Sequence, residues 1–322
     1  MEKTYDPSTY RIVFFSGSPI GIPFLEHLNA DKRFDIVWVV TMPDKPIGRG
    51  HTVQANSIKI TAEQLSIPTI LTPTSINPAT NEHGKAVAAQ LHDLKADYFI
   101  VVAYGKIMPQ AILDIPHFWC INVHGSILPE YRWASPLQSV FLDDRAETGV
   151  TIMNMNAKMD EWDIISTYEF KLPFARTSKD LFEKVKVVWP KVLADAVWDL
   201  SKWHITARPQ DASKATYCHK IEKQDGYIDL RNTPLQEVYN KYRAYALRPK
   251  IRTTWPDTFP KIAGKTLVIE ELICDEQLFS WNSDQPICRE TGLINPAIKE
   301  LSIKPEGKKA MNWKSFKNGY LG

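Results

Sequence analysis

Ile121-Asn122-Val123-His124-Gly125-Ser126-Ile127-Leu128-Pro129-Glu130-Tyr131-Arg132-Trp133-Ala134-Ser135-Pro136 is the stretch on which the fold turns. With Phe118-Trp119-Cys120 ahead of it, its first part is short and apolar, as expected of a buried strand. Asn122 and His124 stand two apart, so strand alternation points both side chains to one face. Gly125 and Ser126 then end the strand, and open α/β sheets keep their ligands at the carboxyl ends of strands. An amide donor beside an imidazole can steady a developing oxyanion. A carboxylate from Met159-Asp160-Glu161-Trp162-Asp163 can fix the imidazole's tautomer and charge. The same spacing also suits a core histidine with satisfied hydrogen bonds.

Outward from that stretch the chain alternates strand-like and helix-like segments. Strands are expected over 11–16, 35–41, 97–103 and 150–155, with an edge strand over 164–172. Helices are expected near 24–28, 57–65, 86–94 and 136–142, and a long one capped by Thr177-Ser178 reaches roughly Lys202. That order predicts a doubly wound, mostly parallel, Rossmann-like sheet. Between Pro43 and Gly50, two prolines and two glycines predict a basic surface loop without a regular element. At Ala207-Arg208-Pro209-Gln210-Asp211 the character changes. Residues 1–206 read as a catalytic domain, 207–214 as a linker, and 215–322 as a smaller β-barrel domain of OB-like type.

Composition narrows the class. The chain has 322 residues, 44% apolar and 24% charged, as ordinary soluble globular proteins do. No apolar run approaches the roughly 18 residues of a membrane span, and Met1–Tyr10 holds no signal-peptide core. Cys120, Cys218, Cys274 and Cys288 are scattered, with no CxxC pair, and are expected to be free thiols of a cytoplasmic protein. The net charge of +2 is unevenly placed, with the second half basic and the first acidic, which hints at a polyanion on the C-terminal domain. Gly17 to Gly21 is not GxGxxG, and Gly264-Lys265-Thr266 has Phe259 where a phosphate loop needs its first glycine. HExxH and GxSxG are absent, which argues against metal, nicotinamide and serine-nucleophile chemistry.

Several stretches together resemble the methionyl-tRNA formyltransferases. They are Pro43-Asp44-Lys45-Pro46 with Gly48-Arg49-Gly50, residues 101–107, residues 121–132, residues 147–153, and Met159-Asp160. Pro209-Gln210-Asp211, Ala215-Thr216-Tyr217, Lys220-Ile221 and residues 225–229 continue the match. The resemblance implies that 10-formyltetrahydrofolate is the co-substrate and initiator methionyl-tRNA the acceptor, with no metal, no membrane and no DNA. It implies a monomer. Asn122 and His124 would donate to the tetrahedral oxyanion, and Asp160 would hold and polarise His124. Folate contacts are implied at Tyr104, Ser126, Leu128, Pro129 and Trp162. Contacts to tRNA are expected at Lys45, Arg49 and His51, and at Lys220, Arg248, Lys250 and Arg252 on the second domain. Lys223 and Arg243 are further candidates for phosphates, and Tyr242 and Tyr245 are available for stacking or core packing. Alternatives are a formyltransferase acting on a small amine and a non-catalytic tRNA-binding relative.

Two departures from the family pattern matter. Arg132-Trp133 stands where the pattern has Arg-Gly, and Asp160-Glu161-Trp162-Asp163 where it has Asp-x-Gly-Asp. Trp38, Trp119, Trp189 and Trp203 also stand on family glycine positions. Glycine is scarce, at 14 of 322 residues, against an average of about 7%. These tryptophans point to a gene that reads UGA as glycine, written here with tryptophan instead. Genuine drift that crowds the folate pocket is the alternative.

Overall fold

A computed structural model describes residues 8–47, 52–68, 70–71, 75–80, 82–156, 160–254, 261–279, 285–287 and 294–321. Arg49 and His51 lie outside the described residues, as does the side chain of Lys45.

The first half runs β1 (Tyr10–Phe15), α1 (Ile22–Ala30), β2 (Phe34–Val40), β3 (Lys45–Ile47), β4 (Thr52–Gln54), α2 (Ser57–Gln64), β5 (Ile70–Leu71), α3 (Glu82–Asp93) and β6 (Tyr98–Val101). It continues through α4 (Gln110–Leu113), β7 (Trp119–His124), β8 (Arg132–Trp133), α5 (Pro136–Leu142), β9 (Glu147–Asn154), β10 (Ile164–Lys171) and α6 (Ser178–Ser201). Then come β11 (Tyr217–Cys218), α7 (Leu235–Ala244), β12 (Arg252–Thr254), β13 (Thr266–Cys274), β14 (Ile298–Pro305), β15 (Met311–Asn312) and α8 (Trp313–Phe316).

Seven strands form one sheet in the order β10-β9-β7-β6-β1-β2-β5. Pairings from β7 through β6, β1 and β2 to β5 are parallel, and β9 joins β7 antiparallel. Strands of a parallel sheet are covered on both faces, so they are near-continuously apolar. In β1 only Arg11 is exposed, and all of β6 is buried. Ends are set locally. Asn56 caps α2 by accepting from the Ile58 N–H at 2.9 Å. Thr177 and Asp180 exchange hydrogen bonds at the start of α6, a capping box with Asp in the third position. Gly149 in β9 is required by close approach, since a Cβ there would lie 2.5 Å from the Tyr168 carbonyl oxygen.

The chain divides into two compact units. One holds residues 1–132, 149–169 and 183–217, and includes most of the sheet. The other adds residues 133–148 and 170–182 to residues 218–322. Its antiparallel sheet has the order β12-β13-β14-β15, with inward residues alternating along β13. Helices α5 and α7 pack together there, and Leu137, Val140 and Phe141 on one and Leu235 and Val238 on the other are buried. The sequence-derived loop over 43–50 is corrected. Lys45–Ile47 pairs antiparallel with Thr52–Gln54, because a two-stranded ribbon is all edge and tolerates Pro46. Cys120, Cys218 and Cys274 are free and buried.

Candidate active site

Asn122 and His124 lie in the last three residues of β7, flanked by β6 and β9. Asn122 pairs with Val101 on one side and Met153 on the other. The loop that follows is pinned by Thr151 of β9. Its hydroxyl accepts from the Leu128 N–H at 3.0 Å and donates to the Ser126 carbonyl at 2.8 Å. Both bonds are buried, so the loop has one path.

His124 is 6% exposed. Its Nε2 lies 2.9 Å from the Tyr131 carbonyl oxygen. A carbonyl only accepts, so the hydrogen sits on Nε2. Nδ1 then faces Asp160 Oδ1 at 3.8 Å, within ion-pair range and longer than a hydrogen bond. Asp160 is itself 6% exposed and has φ +57, a left-handed conformation that Asp adopts more readily than most residues. The imidazole and the carboxylate expected from the sequence are therefore brought together, among buried surroundings.

Three residues that sequence reasoning did not single out build the frame. Arg132 is buried, and its Nε and Nη2 donate to Gln210 Oε1 at 3.3 and 2.9 Å. Nη1 lies 3.5 Å from Glu161 Oε1. Gln210 Nε2 donates to the carbonyls of Asp160 and Trp162 at 2.9 and 2.7 Å. Thr151 is the third. All three stood inside stretches that carry the family resemblance, which was the available signal.

This strand-end pairing of amide, imidazole and carboxylate sits in a chain that matches two family models. "Formyl transferase" covers residues 10–197 and "Formyl transferase, C-terminal domain" covers residues 220–321. The methionyl-tRNA formyltransferase of Natranaerobius thermophilus is 34% identical over 318 residues, covering 96% of this chain and 97% of its own. The chain belongs to the methionyl-tRNA formyltransferase family. A member from Geobacillus sp. is 32% identical over 318 residues, covering 96% of this chain and 94% of its own. Among solved structures, the N-formyltransferase of Helicobacter canadensis, in complex with folinic acid and dTDP-3-aminofucose, aligns at a TM-score of 0.61 with 15% identity. It covers 94% of this chain and 98% of its own, and shares the fold. HypX from Aquifex aeolicus with tetrahydrofolic acid aligns at 0.57 with 15% identity, over 96% of this chain and 47% of its own.

The residues that the family resemblance attached to folate divide by burial. Ser126 is fully buried and its hydroxyl donates to the Glu130 carbonyl at 2.6 Å. Leu128 packs with Met153, Trp162 and Ile164 in a small apolar cluster. Pro129 is half-buried, and its carbonyl accepts from the Thr216 N–H. Tyr104 belongs to the core: it is 2% exposed, edge-on to Phe15, and burial holds its phenol well above the usual range.

In the second unit Lys220 and Arg248 are exposed. Lys250 pairs with Glu270 at 2.5 Å, and Arg252 lies over the Tyr227 ring at 5.4 Å while donating to the Pro249 carbonyl. Arg243 is not a phosphate ligand. It is buried, paired with Asp144 at 2.5 Å and bonded to Asn240 and the Phe174 carbonyl. An arginine inside a helix pair cannot reach a polyanion without unfolding it. Tyr245 is buried and its phenol is pushed up to about 12 by burial, while Tyr242 lies stacked near Tyr239.

Of the six tryptophans read from the sequence as standing on family glycine positions, five fit poorly, in two different ways. Trp133 and Trp203 take positive φ, 83 and 60, and both are exposed. Trp38, Trp162 and Trp189 are buried, each with an indole N–H that has no partner among the described residues. Trp119 lies edge-on to Trp203. Left-handed backbone is glycine's region, and a buried orphan donor carries a desolvation cost.

Proposed function

We propose that this chain transfers the formyl group of 10-formyltetrahydrofolate to the α-amine of methionine on initiator tRNA. The free amine attacks the formyl carbon, forming a carbon–nitrogen bond and a tetrahedral oxyanion. Collapse breaks the bond to N10 of the folate, and the proton lost by the amine ends on the departing nitrogen. Asn122 donates to the oxyanion. His124 joins it by exchanging its bond to Tyr131 for one to the new oxygen, since catalytic hydrogen bonds commonly tighten only with substrate bound. Asp160 stabilises the imidazole when it gains charge. No metal is needed for these steps.

The observation that carries this reading is Asp160 Oδ1 facing Nδ1 of His124 at 3.8 Å, at the carboxyl end of the strand that bears Asn122. The donor set suits folate as a formyl carrier, because amide, imidazole and carboxylate are what a tetrahedral oxyanion and a moving proton require. Ser126, Leu128, Pro129, Tyr104 and Trp162 would form the folate site. Residues 1–206 carry the chemistry. Residues 215–322, with Lys220, Arg248, Lys250 and Arg252, hold the tRNA together with Lys45, Arg49 and His51, in a cytoplasmic monomer. Among the described residues no helix is long and apolar enough to cross a membrane.

The test is formyl transfer to methionyl initiator tRNA, run beside a small amino-sugar nucleotide as acceptor. Transfer to tRNA, with affinity falling steeply as salt rises, supports the reading. Transfer to the sugar alone, or a flat log–log salt dependence, overturns the tRNA part.

A further inference from the structure

We propose that Gln210 is the positioning residue of the active site, holding the Asp160 loop opposite His124. This rests on the formyl-transfer reading for its consequence and on the hydrogen-bond geometry for its substance.

Every polar group of the Gln210 side chain is used. Its two amide hydrogens go to the carbonyls of Asp160 and Trp162, and its oxygen takes two hydrogens from Arg132. Arg132 in turn reaches Glu161 with its remaining terminal nitrogen. Residues 160, 161 and 162 are thus each held by this pair, at positions 48 to 50 residues from Gln210 in the chain for the two carbonyls. Asp160 has φ +57, and a left-handed residue persists where its surroundings over-determine it. The bonds from Gln210 run to backbone, so they form whichever residue stands at 162.

Gln210 is itself fixed. Two residues earlier, Arg208 exchanges both backbone hydrogen bonds with Ile164 at the start of β10, at 2.8 and 2.9 Å. Six residues later, Thr216 accepts the Tyr131 N–H on its hydroxyl and the Arg132 N–H on its carbonyl. The Tyr131 carbonyl is the group that orients His124. One short segment therefore holds both partners of the dyad, the imidazole through Tyr131 and the carboxylate through Gln210. Its neutral amide does so without a second anion beside Asp160. A glutamate would keep the bond to Arg132 but turn an acceptor toward two carbonyl oxygens.

The experiment compares Gln210→Glu and Gln210→Met with the parent and with Asp160→Asn. Melting temperature, kcat, both KM values, the pH–rate profile and the ¹⁵N spectrum of the His124 imidazole are measured for each. The expected result is folded variants whose kcat falls about 10²-fold, the scale of a misplacement near 1 Å, with both KM values little changed. Their pH–rate profile and His124 nitrogen shifts should move toward those of Asp160→Asn. Folded variants with parental kcat, profile and His124 spectrum overturn the proposal. So does a loss of activity that tracks only the loss of folded protein. An inactive parent would count against formyl transfer, and the His124 spectrum would then decide the positioning role by itself.

Discussion

His124 donates Nε2–H to the Tyr131 carbonyl at 2.9 Å, and this turns its Nδ1 toward Asp160 Oδ1 across 3.8 Å. At that distance a proton carried on Nδ1 has a carboxylate partner within ion-pair range. In the proposed mechanism the pair holds an imidazolium while charge develops on substrate. Asp160→Asn replaces that anion with a neutral amide of the same shape. The expected loss is on the order of 10²–10⁴ in the rate of formyl transfer, measured in single turnovers. Parental single-turnover rates would remove Asp160 from the mechanism.

Asn122 is expected to act in the transition state more than in binding. Asn122→Ala should lose about 10²–10³ in kcat, as for one oxyanion donor, with KM for tRNA little changed. A raised KM at parental kcat would make Asn122 a binding residue.

Thr151 ties the site loop to β9 by two buried bonds. Thr151→Val keeps the shape and leaves the Leu128 N–H and the Ser126 carbonyl without this partner. The expected loss is about 1–3 kcal/mol, read from urea unfolding. No change in unfolding free energy would mean that the loop is held elsewhere.

The tryptophans give a prediction about the gene as well as the protein. UGA codons are expected at positions 38, 119, 133, 162, 189 and 203. Trp133→Gly relieves a left-handed residue at a gain of roughly 1–2 kcal/mol. Trp162→Gly removes an orphan indole donor from the apolar cluster around Leu128. The double variant should transfer formyl faster than the parent. UGG at these positions with an unimproved double variant would establish the tryptophans as native.

Acid stability should depend on Arg33. Burial raises the carboxyls of Asp31 and Asp195, but the hydrogen bonds and charge of Arg33 at Asp31, and of Lys191 and then Arg33 at Asp195, outweigh it and hold both below the ordinary carboxylate value. Groups lowered in the folded state contribute stability that is present above the unfolded pKa and lost as pH falls through the folded one. Unfolding free energy should therefore decline below about pH 4, and Arg33→Gln should flatten that decline. Urea titrations across pH 2–6 (roughly the range in which carboxylates titrate) measure it, and equal slopes in both proteins would refute it.

The strand bearing Asn122 and His124, the parallel sheet and the capped start of α6 were legible because each rests on a local rule. Alternation, apolar runs and capping residues act over a few positions. The ribbon at Lys45–Ile47 was not legible: turn residues mark where a chain bends, and pairing needs a partner strand that local pattern does not name. Arg243 looked like a surface cation for the same reason, since charge is written in the sequence and burial is not.

By itself the sequence determined the family and the residue types that face one another at the end of β7. Only the tertiary structure decided the Tyr131 partner of His124, the burial of Tyr104, and the role of Gln210 and Arg132 in a frame whose members lie up to 78 residues apart. Periodicity encodes which side of an element is covered. Which atom covers it depends on the path of the whole chain, and hydrogen bonds that span so many residues exist only once that path has closed.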